Sequence, residues 1–205
     1  MFVASSGTSK LSEATRHGAA TRVALACVAA ALLLFPSSTL AQSYVSAEAR
    51  SEANAIVNFP NFIEWPLEPI AAPQTPFLLC VYGNSSLGTV LAVLTRGQRV
   101  QGRGMAVRWP RKDSELRNCQ ILFIGHSEQK HYAKILAVVH GTPVLTIGET
   151  ANFNELGGIV EFAYEHDALL FEVNLSAARD AHLKISSRFL SLARRFVNTT
   201  ADAKN

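Results

Sequence analysis

The chain has 205 residues, 48% of them hydrophobic and 17% charged, with 19 Lys and Arg against 16 Asp and Glu. So even a balance argues against a nucleic-acid binder, which presents a clustered basic face. The length suits one domain with a full hydrophobic core once an export segment is set aside.

Residues 1–41 read as a signal peptide. Lys10, Arg16 and Arg22 form a basic lead-in, and an uncharged apolar run follows at 23–35. Pro36-Ser37-Ser38 breaks the helix, and Thr39-Leu40-Ala41 places small residues before a cut ahead of Gln42. The apolar run falls short of the roughly 20 residues that span a bilayer as a helix. A retained anchor would have to extend through Pro36, and a lipidated Cys27 conflicts with the apolar run that continues past it. No later segment has the length of a span, so no direct membrane span is expected after cleavage.

In the mature chain, Ser46 can cap a helix over 46–59, with Ala49, Ala53, Ile56 and Val57 at helical spacing. Pro60 interrupts the aromatic continuation 59–66. A loop rich in Pro and Ala (67–76) leads into a strand at 77–82. The turn 83–86 opens a helix through Leu87, Val90, Leu91 and Leu94. A polar, Gly-rich stretch (97–104) precedes a strand at 105–109, ended by Pro110. A strand at 119–124 ends at Gly125, and Ser127 can cap a helix carrying Tyr132, Ile135, Leu136 and Val139. Residues 144–147 form a short buried strand, and 148–158 are polar. Segments 159–164 and 169–173 read as a hairpin turning at Glu165-His166-Asp167-Ala168. Helices at 176–181 and 187–197 follow, with Arg188, Arg194 and Arg195 as a solvated face near the end of the last. Residues 198–205 are polar and expected to form a flexible tail. The expected fold is a single α/β domain over 42–197. It has a mixed, mostly parallel sheet layered between helices, with a late antiparallel hairpin.

Removing the signal leaves two cysteines, Cys80 and Cys119, each inside a short apolar run. An even pair in an oxidising compartment reads as a disulfide, and neighbouring strands bring Cα atoms within the roughly 4.4–6.8 Å that a bridge requires. The alternative is two separate buried thiols. No Cys-x-x-Cys spacing supports redox catalysis or a zinc ribbon.

The chemical motifs resolve into ordinary structure. The stretch 83–88 follows a strand and opens a helix as a phosphate loop does, but Thr89-Val90 stand where Lys and Ser/Thr are required. None of His126, His131, His140, His166 and His182 has the i,i+4 partner of a helical metal site. There is no Gly-x-Ser-x-Gly elbow. Glu161, Glu165, Asp167 and Glu172 crowd the hairpin, where a glycosidase pair is conceivable. Their alternation with Phe162, Phe171 and Val173 instead describes one solvent-facing side of a sheet. No catalytic, cofactor-binding or metal-binding residue is assigned.

Several phrases now fall into a recognisable order. They are Asn58-Phe59-Pro60-Asn61-Phe62-Ile63-Glu64-Trp65-Pro66, Cys80-Val81-Tyr82-Gly83, Cys119-Gln120-Ile121-Leu122-Phe123-Ile124 and Pro143-Val144-Leu145-Thr146-Ile147-Gly148. Gly157-Gly158-Ile159, Phe171-Glu172-Val173-Asn174 and Leu183-Lys184-Ile185-Ser186-Ser187 complete the set. The chain resembles, over 46–194, the YfiR family of periplasmic regulators. The resemblance implies a compact α/β domain that often dimerises. It implies binding to the periplasmic sensor part of an inner-membrane diguanylate cyclase, repression of cyclic di-GMP synthesis and control of biofilm formation. It also implies a disulfide between Cys80 and Cys119. Two departures stand out: a further cysteine pair near 148–161 is missing, and Pro60 stands where a helix-compatible residue is usual.

The exposed side of the hairpin, with 151–158, is the expected docking surface, and Val160 and Glu172 are the expected contacts. The competing function is a periplasmic small-ligand-binding or envelope-associated protein without a cyclase partner.

Overall fold

A computed structural model describes residues 46–66 and 75–197. The signal assigned to 1–41 and the tail assigned to 198–205 lie outside the described residues. Helix α1 (Ala47–Asn58) starts where Ser46 Oγ accepts the Ala49 N–H at 3.1 Å, and it buries Ala49, Ala53 and Ile56. It stops before Pro60, whose ring has no N–H to donate and would meet the carbonyl of Ile56. A 3₁₀ turn, Phe59–Asn61, takes over.

The strands are β1 (Ile63–Glu64), β2 (Phe77–Tyr82), β3 (Arg99–Val100), β4 (Arg103–Arg108), β5 (Ile121–Ile124) and β6 (Leu145–Gly148). They continue with β7 (Val160–Glu165), β8 (Ala168–Asn174), β9 (Lys184–Ile185) and β10 (Arg195–Val197). The helices after α1 are α2 (Leu87–Leu94), α3 (Tyr132–Val139), α4 (Leu175–Asp180) and α5 (Ser187–Leu192). Eight strands form one sheet in the order β10-β8-β7-β6-β5-β2-β4-β3, and β1 pairs with β9 beside it. The centre is parallel, with Leu79 opposite Ile121 and Ile121 opposite Leu145. The hairpin β7–β8 is antiparallel from Val160↔Val173 to Glu165↔Ala168. Its two-residue turn places His166 at φ 49 and Asp167 at φ 63, the double left-handed geometry that matches strand twist. A mixed, mostly parallel sheet between helices is therefore the fold.

Four local expectations change. Residues 99–100 form an edge strand, because Gln101-Gly102 make a tight turn with positive φ at both positions. Cys119 lies just outside β5, capping a 3₁₀ segment, Asp113–Asn118. Ser127 caps no helix; its Oγ accepts the Asn84 N–H at 2.8 Å, and a 3₁₀ segment, His126–His131, precedes α3. The last helix ends at Leu192, and Arg195–Val197 pair in parallel with β8. Arg194 and Arg195 are thus outside any helix.

Strand alternation sends side chains to two layers. One layer holds Leu79, Val81, Ile121, Phe123, Leu145, Ile147, Val160, Phe162, Phe171 and Val173 with buried residues of α1, α2 and α5. Its aromatic knot sets Phe59 4.9 Å from Phe189 and 5.5 Å from Phe171, centroid to centroid. Such pairs add about 1 kcal/mol each beyond the area they bury. The second layer holds Cys80, Leu122 and Ile124 under Tyr132, Ile135, Leu136 and Val139 of α3, with Leu116 and Phe153. The Cys80–Cys119 disulfide lies inside it, with Cα atoms 5.9 Å apart. It ties β2 to the segment that enters β5.

Candidate docking surface

The second layer covers only part of the sheet. Among the described residues, none from β7, β8 or β10 belongs to it. On those strands the side chains opposite the first layer are Glu161, Ala163 and Glu165, paired across the hairpin with Glu172, Leu170 and Ala168. Arg195 stands beside Glu172 in the parallel register. This stretch of sheet has a polar face with no helix of the second layer upon it.

Its charges are largely matched. Glu172 Oε2 accepts from Arg195 Nε at 3.0 Å and Nη2 at 2.7 Å. Arg194 Nη1 lies 3.7 Å from Glu165. Glu161 Oε2 accepts the Asn154 N–H at 3.1 Å. Burial pushes the Glu161 carboxyl above its ordinary range; the Asn154 N–H opposes that shift, and the charge of Glu172 adds to it. An acidic patch that steers a basic partner is therefore not what this face presents. It is a mixed-charge surface around half-buried Ala163 and Leu170.

Glu172 faces this surface, with its side chain only 12% exposed beneath Arg195. Val160 does not. It is 0% exposed, opposite Ile147 and within the first layer. The reason lies in the strand period of two: if Glu161 faces outward, Val160 and Phe162 face inward. Arg194 and Arg195 were missed as part of this surface. The helix-breaking change from 187–192 to a short alternating Arg-Phe-Val segment was the available signal.

The adjoining segment 149–158 is held firmly. Phe153 enters the second layer and meets Tyr132 edge-on, with centroids 5.0 Å apart. Its ring occupies the space that a side chain on Gly148 or Gly158 would need: a Cβ on Gly158 would come within 2.1 Å of it, and on Gly148 within 2.4 Å. Asn174 Nδ2 donates to the Asn154 carbonyl at 2.9 Å, while its Oδ1 accepts from Ser176 and Ala177 and caps α4. Gly158→Ala is expected to lower stability by about 1–3 kcal/mol through overpacking. A urea midpoint equal to that of the wild type would show that Phe153 is free to move.

Beneath this segment, α3 and α4 leave an open cavity of about 210 Å³ lined by Ala133, Ala137, Leu156, Ala177 and Asp180, among others. Among the described residues, no group of three His, Cys, Asp or Glu side chains could hold a metal. Nor is any helix there long and apolar enough to cross a membrane.

The YfiR/HmsC-like family model matches residues 49–194. The chain belongs to the YfiR/HmsC-like family. The matched residues run from within α1 to the residue before β10, so both the disulfide and the hairpin β7–β8 belong to the YfiR-like region.

Two solved structures align with this chain. One is a conserved domain protein from Vibrio cholerae, at 10% identity and a TM-score of 0.50, covering 73% of this chain and 60% of that one. The other is an ABC domain from Streptococcus pneumoniae in complex with L-Trp, at 8% identity and a TM-score of 0.49, covering 73% and 62%. The YfiR-like chain thus spans about 60% of the length of these two.

Proposed function

We propose that this chain is a periplasmic negative regulator that binds the sensor region of an inner-membrane diguanylate cyclase and represses cyclic di-GMP synthesis. Family membership over 49–194 carries the reading. The uncovered face of β7, β8 and β10 supplies a surface for contact, with Glu172 at its centre. Repression works as a population shift: a regulator that prefers the inactive sensor lowers output by its differential affinity. A homodimer belongs to the same proposal, and so does export through cleavage before Gln42.

The test is crosslinking in living cells with a photoreactive residue at Ala163, followed by mass spectrometry. The expected catch is the periplasmic region of a membrane diguanylate cyclase. Two variants check the surface. Glu172→Arg sets two cations side by side in place of the ion pair, and Ala163→Arg adds bulk while leaving that pair intact. Each is expected to lower copurification with the sensor region at least about tenfold, given the roughly 2 kcal/mol that a mispaired interface charge costs. Cellular cyclic di-GMP should rise with both. Undiminished copurification of both variants would remove this face from the proposal, and capture of no cyclase by the wild type would remove the partner.

The cavity between α3 and α4 supports a second reading, a small-ligand-binding protein of the cell envelope. A ligand-dependent rise in melting temperature, with cyclic di-GMP unchanged on deletion of the gene, is its expected signature.

A further inference from the structure

The nearly neutral total conceals one purely basic segment. Residues 83–112 contain six cations, Arg96, Arg99, Arg103, Arg108, Arg111 and Lys112, and no Asp or Glu. They build α2, the edge pair β3–β4 and the loop after it, which together form one end of the sheet. The carboxylates Glu161, Glu165, Asp167 and Glu172 sit on the hairpin toward the other end.

Two of the six cations are committed within the fold. Arg103 donates to the carbonyls of Thr75 and Pro76, both at 2.8 Å, and lies over the Phe77 ring. Arg99 donates to the Gly102 carbonyl. The other four, Arg96, Arg108, Arg111 and Lys112, are exposed and form no ion pair among the described residues. The nearest acids in the chain are occupied otherwise. Asp113 pairs with Lys134 at 3.1 Å, and Glu115 accepts the backbone N–H of Arg111 at 2.9 Å.

Between Arg108 and Pro110-Arg111-Lys112 stands Trp109, 51% exposed. Its indole is braced rather than loose. Gly88 in the first turn of α2 is buried against it, so that a Cβ there would come within 2.6 Å of Trp109 Nε1. The fold thus presents one large aromatic ring to water at the end of β4, with unpaired cations on either side of it in the chain. Indoles settle at the headgroup level of a bilayer, and neighbouring Arg and Lys side chains bind lipid phosphates. Arg suits that task because its planar fork matches phosphate oxygens.

We propose that the Trp109 end of the sheet is a peripheral docking surface for an anionic phospholipid membrane. Charge complementarity selects this occupant. Arg108 ends β4, and Arg111 and Lys112 stand in the loop after it, so three exposed cations flank one exposed ring within five residues of chain. The inference goes beyond the regulatory reading but is compatible with it. β8 lies five strand positions from β4 in the sheet order, roughly 24 Å at the usual strand spacing. The hairpin face would remain open while the Trp109 end touched lipid.

The test uses protein recovered from the periplasm of expressing cells. It is mixed with vesicles of phosphatidylethanolamine containing about one quarter phosphatidylglycerol, or of phosphatidylcholine alone, and sedimented. The wild type is expected to sediment with the anionic vesicles, to be released by high salt, and to ignore phosphatidylcholine. Replacing Arg108, Arg111 and Lys112 together with Gln should weaken the association about a hundredfold, with circular dichroism unchanged. Trp109→Ala should weaken it independently of salt. The Gln variant should still copurify with a cyclase sensor region, so failure here and failure of the regulatory proposal are separate results. Equal binding to both vesicle types, equal binding by the variants, or no binding would overturn the proposal. So would capture of an acidic protein at Trp109 without vesicle binding.

Discussion

Replacing Cys80 with Ser is expected to lower the melting temperature by roughly 10 °C, since closing a loop of this size is worth about 4 kcal/mol in the chain-entropy model. The bridge spans 39 residues of sequence. Both cysteines are buried in the second layer beside Leu116 and Leu122, so the change also leaves a hydroxyl and a free thiol in an apolar site. The pair Cys80→Ala and Cys119→Ala separates the two contributions, because it removes the bridge without adding a buried hydroxyl. A reductant should bring the wild type down to the level of that double variant. If neither variant nor reductant shifts the melting temperature, the bridge does not stabilise the fold. Under the regulatory proposal, the same treatment should also release the cyclase, since unfolding the regulator removes its differential affinity.

Glu52→Gln is expected to abolish most of a pH dependence that the wild type shows between about pH 5 and pH 8. Glu52 lies on α1, 5% exposed, and its Oε1 accepts from Tyr164 Oη at 3.1 Å. Burial pushes its carboxyl from 4.5 up to about 7; the charge of Glu149 adds to this, the Tyr164 hydroxyl opposes it, and Glu48 adds slightly. Over that interval the folded state holds a proton that the unfolded state has lost. Its stability therefore falls as pH rises from the unfolded value through the folded one. The full penalty, at most about 3 kcal/mol, is present above both values. Below both, the carboxyl is neutral in each state and the penalty vanishes. Gln preserves the acceptor for Tyr164 and never ionises, so the variant should be more stable than wild type at pH 8 and nearly equal at pH 5. Urea midpoints at the two pH values decide this. An unchanged slope in Glu52→Gln would assign the dependence to another group.

Much of this molecule is legible from its sequence because local physics repeats at short range. The run Phe77–Tyr82 reads as a strand and is one. Ser46 announces the start of α1, Pro60 its end, and His166-Asp167 the hairpin turn. Hydrophobic period, capping and turn chemistry each involve residues a few positions apart, so a single segment carries the whole signal. Strand, helix, strand in succession likewise implies a parallel sheet, and the two cysteines imply their bridge.

The surface was legible only in part. Glu172 stands on the outward face of the hairpin as the sequence suggests, whereas Val160, expected there too, is buried, as the alternation around Glu161 requires. Arg195–Val197 continue a helical-looking stretch and become a strand because β8 offers an open edge. Arg194 and Arg195 then meet carboxylates some twenty to thirty positions earlier in the chain. Which part of the sheet lacks a second layer, which acids are already paired, and which cations remain free for an outside partner depend on elements far apart in sequence. The amino-acid order specifies each strand and its two faces through nearest neighbours. Only the packed fold determines what covers each face, because burial and ion pairing are properties of segments brought together across the whole chain.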